Sequence, residues 1–260
     1  TAKILIANGN KEQAIAVLNQ ALEIARAINE ENGGTRWERT RFGALCRIAE
    51  WLADAGDMDA AAIVLNEAKA KLPSLESAKR ANLDMPSCHF TIAETQFAMG
   101  NKVEALASLN KAVELACAIE NPLFQSSRLD YPASLFAKFG EKELASKTLG
   151  RALSMAKKIE EPDRRANRIF HLVRSAAGTG AIKEAVTFAK AIEDVEGHHR
   201  PKGVRFDAFR EISRKLTFEL VPNKYELSHN ARPVPVTRLK KAFTAEEQQI
   251  AKEIVEAMKE

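Results

Sequence analysis

The sequence predicts an all-α fold, an α-solenoid of about five to six tandem antiparallel helix pairs with an extended tail and a terminal helix. Three observations predict it. The chain of 260 residues holds only 9 prolines and 12 glycines, with 6% aromatic residues, so turn-formers are scarce and helix-formers abundant. Five glycines, Gly9, Gly56, Gly100, Gly140 and Gly180, recur at intervals of 47, 44, 40 and 40 residues, each between two helical runs. After Phe218 this pattern stops, and Pro222, Pro233 and Pro235 interrupt a stretch with no helical period.

The columns around the glycines carry the case. Five residues after each glycine stand Ala14, Ala61, Ala105, Ala145 and Ala185. Nine after stand Leu18, Leu65, Leu109, Leu149 and Ala189, and twelve after stand Ala21, Ala68, Ala112, Ala152 and Ile192. Seven before the last four stand Ala49, Ala93, Ala133 and Val173. Glycine lets the chain leave one helix through positive φ and turn back at once. The alanine lets the returning helix come close, and the leucine fills the space between hairpins. Leading helices are expected over 35–55, 77–99, 123–139, 162–178 and 201–217, and returning helices over 10–30, 57–72, 101–120, 141–160 and 181–195. One hairpin cannot bury its apolar face alone, so the stack should act cooperatively.

These columns resemble the tetratricopeptide repeat, in which a turn Gly-Asn/Asp precedes an alanine by five residues and a second small residue follows seven later. Often a proline ends that family's second helix. Pro73 falls at that place, while Pro122 and Pro162 come five residues later and imply longer returning helices. The resemblance spans about residues 1–200, with a looser copy of the first helix at 201–219, and its period exceeds the family's usual length of about 34 residues. It implies a concave groove lined by leading helices. The positions ten, nine, six and three before each glycine would face it. They include Arg47 and Glu50, then Phe90, Glu94 and Phe97, then Asp130 and Tyr131, then Phe170 and Arg174. Aromatics mixed with both signs of charge suit a peptide or helix with apolar anchors. Phe90, Phe97 and Phe170 are equally readable as side chains packed between helices.

The domain organisation follows: a repeat domain over 1–218, an extended proline-containing linker over 219–243 and an amphipathic helix over 244–260. Thr244 with Glu247 forms a capping box. Ile250, Ala251, Ile254, Val255 and Met258 make one apolar stripe, which should dock on this chain's open end or on another subunit. Thr1 reads as the start of a helix tail, so a leader has been removed or the sequence continues a longer protein.

Charge is uneven. Residues 1–160 hold 20 basic and 20 acidic side chains, 161–243 hold 17 and 10, and 244–260 hold 2 and 5. The basic block includes Arg164, Arg165, Arg168, Arg200, Lys202, Arg205, Arg210 and Arg214. It is read as a solvated mixed-charge face, as a track for nucleic-acid phosphates, or as a seat for an acidic peptide. Few exposed aromatics accompany it, which weighs against single strands.

Chemistry is poorly supported. Cys46, Cys88 and Cys117 have neither CxxC spacing nor an even number, so buried thiols in a reducing, cytoplasmic setting are expected. His89 shares a column with Leu45, Leu129 and Ile169 and reads as a core histidine. His171 has no assured acidic neighbour, and His198-His199 lacks a third ligand. Phosphate-cradling loops, HExxH and GxSxG are absent, as is any run of about 18 apolar residues. The expectation is no enzyme, no cofactor and no membrane span. It is a scaffold for a protein or peptide partner, with a nucleic-acid-binding protein and a subunit assembling through its tail as alternatives.

Overall fold

The computed structural model describes residues 1–27, 35–77, 81–193, 203–220 and 245–257. Every regular element among them is helical. In chain order these are α1 (Ala2–Ala7), α2 (Lys11–Arg26), α3 (Thr35–Ala55), α4 (Met58–Lys69), α5 (Leu72–Glu76), α6 (Ala81–Ala98), α7 (Lys102–Cys117), α8 (Pro122–Lys138), α9 (Lys142–Ala156), α10 (Pro162–Gly178), α11 (Ile182–Lys190), α12 (Gly203–Leu220) and α13 (Ala245–Ala257).

All five predicted tips have one construction. Gly9, Gly56, Gly100, Gly140 and Gly180 sit at φ of 78, 97, 81, 88 and 78°. Each glycine N–H bonds a carbonyl three residues back, and the next N–H bonds one five residues back, as in Gly100 to Phe97 at 3.0 Å and Asn101 to Gln96 at 2.9 Å. That is a Schellman closure, which satisfies carbonyls a helix end would leave bare. The residue after the glycine then caps the returning helix. Asp57 does so with its carboxylate, accepting from the Ala60 N–H at 3.1 Å. One residue thus ends one helix and begins the next.

The packing columns follow. Ala14, Ala61, Ala105 and Ala185 are sealed completely, and Ala145 nearly so. Leu18, Leu65, Leu109 and Leu149 are buried one turn further on, and Ala49, Ala93, Ala133 and Val173 are buried on the leading helices. Burying one such leucine stabilises by about 1.5–3 kcal/mol. Ala21 departs from its column and is only half-buried.

Several boundaries differ from expectation. Pro122 and Pro162 open α8 and α10 as first-turn residues rather than ending the helices before them. Proline's missing N–H costs nothing there. Pro73 likewise lies in the first turn of the short α5, and α4 has already stopped at Lys69. The returning helices α7 and α9 end at Cys117 and Ala156, short of 120 and 160. Pro86 and Pro132 stand inside α6 and α8. The Arg128 Nε donates to the Leu83 carbonyl at 2.8 Å, close to where Pro86 leaves the ladder incomplete.

The chain divides into two compact units, Thr1–Ala145 and Ser146–Glu260, with the boundary inside α9. In the first, α2 packs on α3, α3 on α4 and α6, and α6 on α7 and α8. Polar ties join its hairpins: Arg26 to Glu67 at 2.8 Å, Lys102 to Glu141 at 2.8 Å, and Arg39 to Asp84. In the second, α10 packs on α11 and α12, and α13 lies on α11 and α12 of its own chain. Ile254 is buried there, and Lys190 meets Glu253 at 2.8 Å. Val255 faces outward at 53% exposure, against the predicted stripe, while Ile250 and Ala251 are half-buried. Thr244, Met258 and nearly all of the predicted linker lie outside the described residues.

Candidate functional site

The leading helices α3, α6 and α8 lie side by side in the first unit, each packed on the next. Their columns ten and three before the glycine turn largely inward: Cys46 and Ala53 are buried, and Phe97 stacks on Phe139 with ring centroids 3.9 Å apart and planes 11° off parallel. Phe97 therefore takes the packed alternative. The columns nine and six before the glycine stay more open, about 100° and 40° round the helix from the column ten.

Phe90, from the column ten before its glycine, is half-buried and reaches the same face, so five predicted residues meet there. Phe90 and Tyr131, from α6 and α8, hold their rings 4.5 Å apart and tilted by 56°. Tyr131 keeps 43% of its surface exposed. Its hydroxyl reaches the Glu94 carboxylate, one turn along α6 from Phe90. Arg47 donates to Glu50 at 2.7 Å within α3, and both charges are felt at the Tyr131 hydroxyl. Burial first, then the Glu94 charge and hydrogen bond, push the Tyr131 phenol up to about 12, with Arg47 pulling the other way. Asp130, also predicted, is half-buried and engaged.

Phe170 and Arg174 lie in the second unit. Phe170 is half-buried with its ring edge-on to His171 at 6.1 Å, and Arg174 is exposed. They hold on α10 the registers of Phe90 and Glu94.

The basic block is largely neutralised locally. Arg164 pairs with Glu161 at 2.7 Å, Arg165 with Glu193 at 2.7 Å, Arg210 with Asp207 at 2.9 Å and Arg214 with Glu211 at 3.0 Å. Arg165 also donates to the Ile159 carbonyl at 2.8 Å, closing the turn that precedes α10. Arg168 is buried at 9% exposure, and Arg205 is half-buried. Arg200 and Lys202 lie outside the described residues.

Two thiols are core residues. Burial, with a smaller contribution from Cys88, pushes the Cys46 thiol up to about 12, and burial with Asp84 pushes Cys88 up to about 11. Cys117, expected to be buried, is exposed near the end of α7. His89 is only half-buried, and burial with the Lys111 charge lowers its pKa. His198, His199 and His229 lie outside the described residues. Among the described residues, no group of three or more His, Cys, Asp or Glu could hold a metal ion, and no helix is long and apolar enough to cross a membrane.

Comparison with known proteins places this geometry. The tetratricopeptide-repeat family profile matches residues 2–28, which are α1, α2 and the Gly9 tip between them. No curated protein matches the sequence. Among solved structures, BtubC (BKLC) from P. vanneervenii is 18% identical, covering 79% of this chain and 82% of its own, at a TM-score of 0.43. A kinesin-light-chain-like protein from P. anserina, with nearly identical TPR-like repeats, is 15% identical, covering 84% of this chain and 95% of its own, at a TM-score of 0.43. Five tips closed in one manner, with the family profile lying on the first of them, make the chain a tetratricopeptide-like helical-repeat protein.

Proposed function

We propose that this chain is a protein-interaction scaffold that holds a partner peptide or helix on the α3–α6–α8 face of its first unit. Helical-repeat arrays of this class are in general interaction scaffolds, because stacked hairpins present one long surface. One observation carries the finer reading. Arg47, Glu50, Phe90, Glu94 and Tyr131 come from three successive leading helices and gather on one open face. Partly exposed tyrosine and arginine, set among fixed partners, are the side chains that concentrate binding energy.

The test is affinity purification from source extract, with and without nuclease, comparing the natural chain with Phe90→Ala/Glu94→Ala/Tyr131→Ala. Phe97 is left intact, because its stack on Phe139 belongs to the core. Circular dichroism first establishes that the triple variant keeps its helix content. The expected result is a protein partner retained after nuclease and lost with the variant. Recovery that ignores the variant and vanishes with nuclease would move the function to nucleic acid.

A further inference from the structure

We propose that the Phe90–Tyr131–Glu94 surface receives a lysine or arginine side chain of the partner, its stem on the two rings and its cation at the Glu94 carboxylate. This deepens the function proposed above and rests on it. Charge comes first. Arg47 is the cation of this face, and it already donates to Glu50 at 2.7 Å. Its pairing leaves Glu94, which faces a neutral tyrosine hydroxyl rather than a cation. Around that hydroxyl the Glu94 and Glu50 carboxylates stand with the Arg47 cation, which is already paired with Glu50. An acidic or phosphorylated segment would meet two carboxylates here with no uncommitted guanidinium.

Shape makes the same selection. The rings of Phe90 and Tyr131, 4.5 Å apart and tilted, form an apolar wall with a carboxylate at its edge. A long side chain that is apolar along its stem and cationic at its tip fits both parts. The ring faces add attraction for a cation held within about 6 Å. A plain apolar anchor would use the wall and leave the Glu94 charge partly desolvated without a cation beside it, which costs binding.

The experiment uses the full chain, tagged, on a positional-scanning array of acetylated ten-residue peptides. One central position is fixed as Lys, Arg, norleucine or Glu, and the other positions are degenerate. Signal for Lys and Arg about three- to tenfold above norleucine is expected, with Glu lowest. Glu94→Gln should bring Lys down to the norleucine level, and Phe90→Ala should weaken both. Norleucine or Glu equal to Lys, with Phe90→Ala still abolishing the signal, would overturn this inference while leaving the face as the binding surface. Signal indifferent to Phe90→Ala and to Glu94→Gln, or none above background, would overturn it too; if affinity capture also survives the triple variant, the proposed function falls with it.

Discussion

The leading-helix face of the first unit and that of the second share a register but not a character. At the position nine before the turn glycine, α3 and α8 carry Arg47 and Tyr131, whereas α10 carries His171. Six before it, α3 and α6 carry Glu50 and Glu94, whereas α10 carries Arg174. Seven before it, all four helices carry a fully buried Ala or Val. The lesson is that the hairpin constrains what lies between helices and leaves the outer face free to diverge. Both faces carry a phenylalanine at one register, but where the first unit has Glu50 and Glu94 the second has Arg174.

Four measurements press on that contrast. The largest effect belongs to the shared layer. Leu109→Ala in the first unit and Leu149→Ala in the second each remove a side chain with no exposed surface, so each should cost about 2–5 kcal/mol in urea unfolding. A wide gap between the two would show that the units are not equivalent inside. Next come the tips. Gly100→Ala and Gly180→Ala meet nothing within 4 Å, so their cost is conformational, about 1–2 kcal/mol for a left-handed non-glycine residue. Asparagine at either site should recover part of it.

The outer faces give smaller stability effects and a larger functional difference. Tyr131→Ala should lose about 0.5–1.5 kcal/mol through its contact with Phe90 and should release the captured partner. His171→Ala should change stability by less and leave capture intact; equal loss of partner from both would extend the site to the second unit.

The smallest effect is a pH dependence within the first unit. Burial and Lys111 hold the His89 pKa below its free value, so the fold favours the neutral ring. The unfolded chain therefore binds the extra proton first. Stability contributed by the neutral ring is intact above about pH 6.5 and declines as pH falls below it. His89→Gln should flatten that decline in unfolding curves taken between about pH 7 and 5. A decline unchanged by the substitution would assign it to other groups.

Much of the fold was legible because its signals are local. A glycine in the left-handed region and an alanine one turn into the next helix are fixed within a single hairpin, and the leucine one turn beyond is fixed by the neighbouring hairpin. The prolines misled because a helix end and the next helix start are near in sequence, and Pro122 is as good a first residue as a stop. Cys117 was misread because a small residue late in a returning helix can lie on either side of it. The site was half legible. Register singled out Glu94 and Tyr131 separately, from the columns six and nine before their glycines. Their meeting depends on how α6 and α8 slide past one another, which no local pattern encodes. The ion pairs Arg26–Glu67 and Arg165–Glu193 were hidden for the same reason. Arg26–Glu67 joins α2 to α4 and Arg165–Glu193 joins α10 to the residues after α11, whereas the other pairs of the basic block lie three residues apart and were within reach of the sequence.

The two-residue tip has a consequence for how the chain folds. Because the residue that closes one helix also opens the next, each hairpin joins its halves across nearly the shortest loop available. The entropy lost in loop closure is then small, and the contacts that form first are between neighbours in sequence. The length differences among the repeats therefore fall outside the tips, in the helices and in the connections between hairpins. During synthesis each hairpin can thus close as it emerges, with its open apolar face left for the next one to cover.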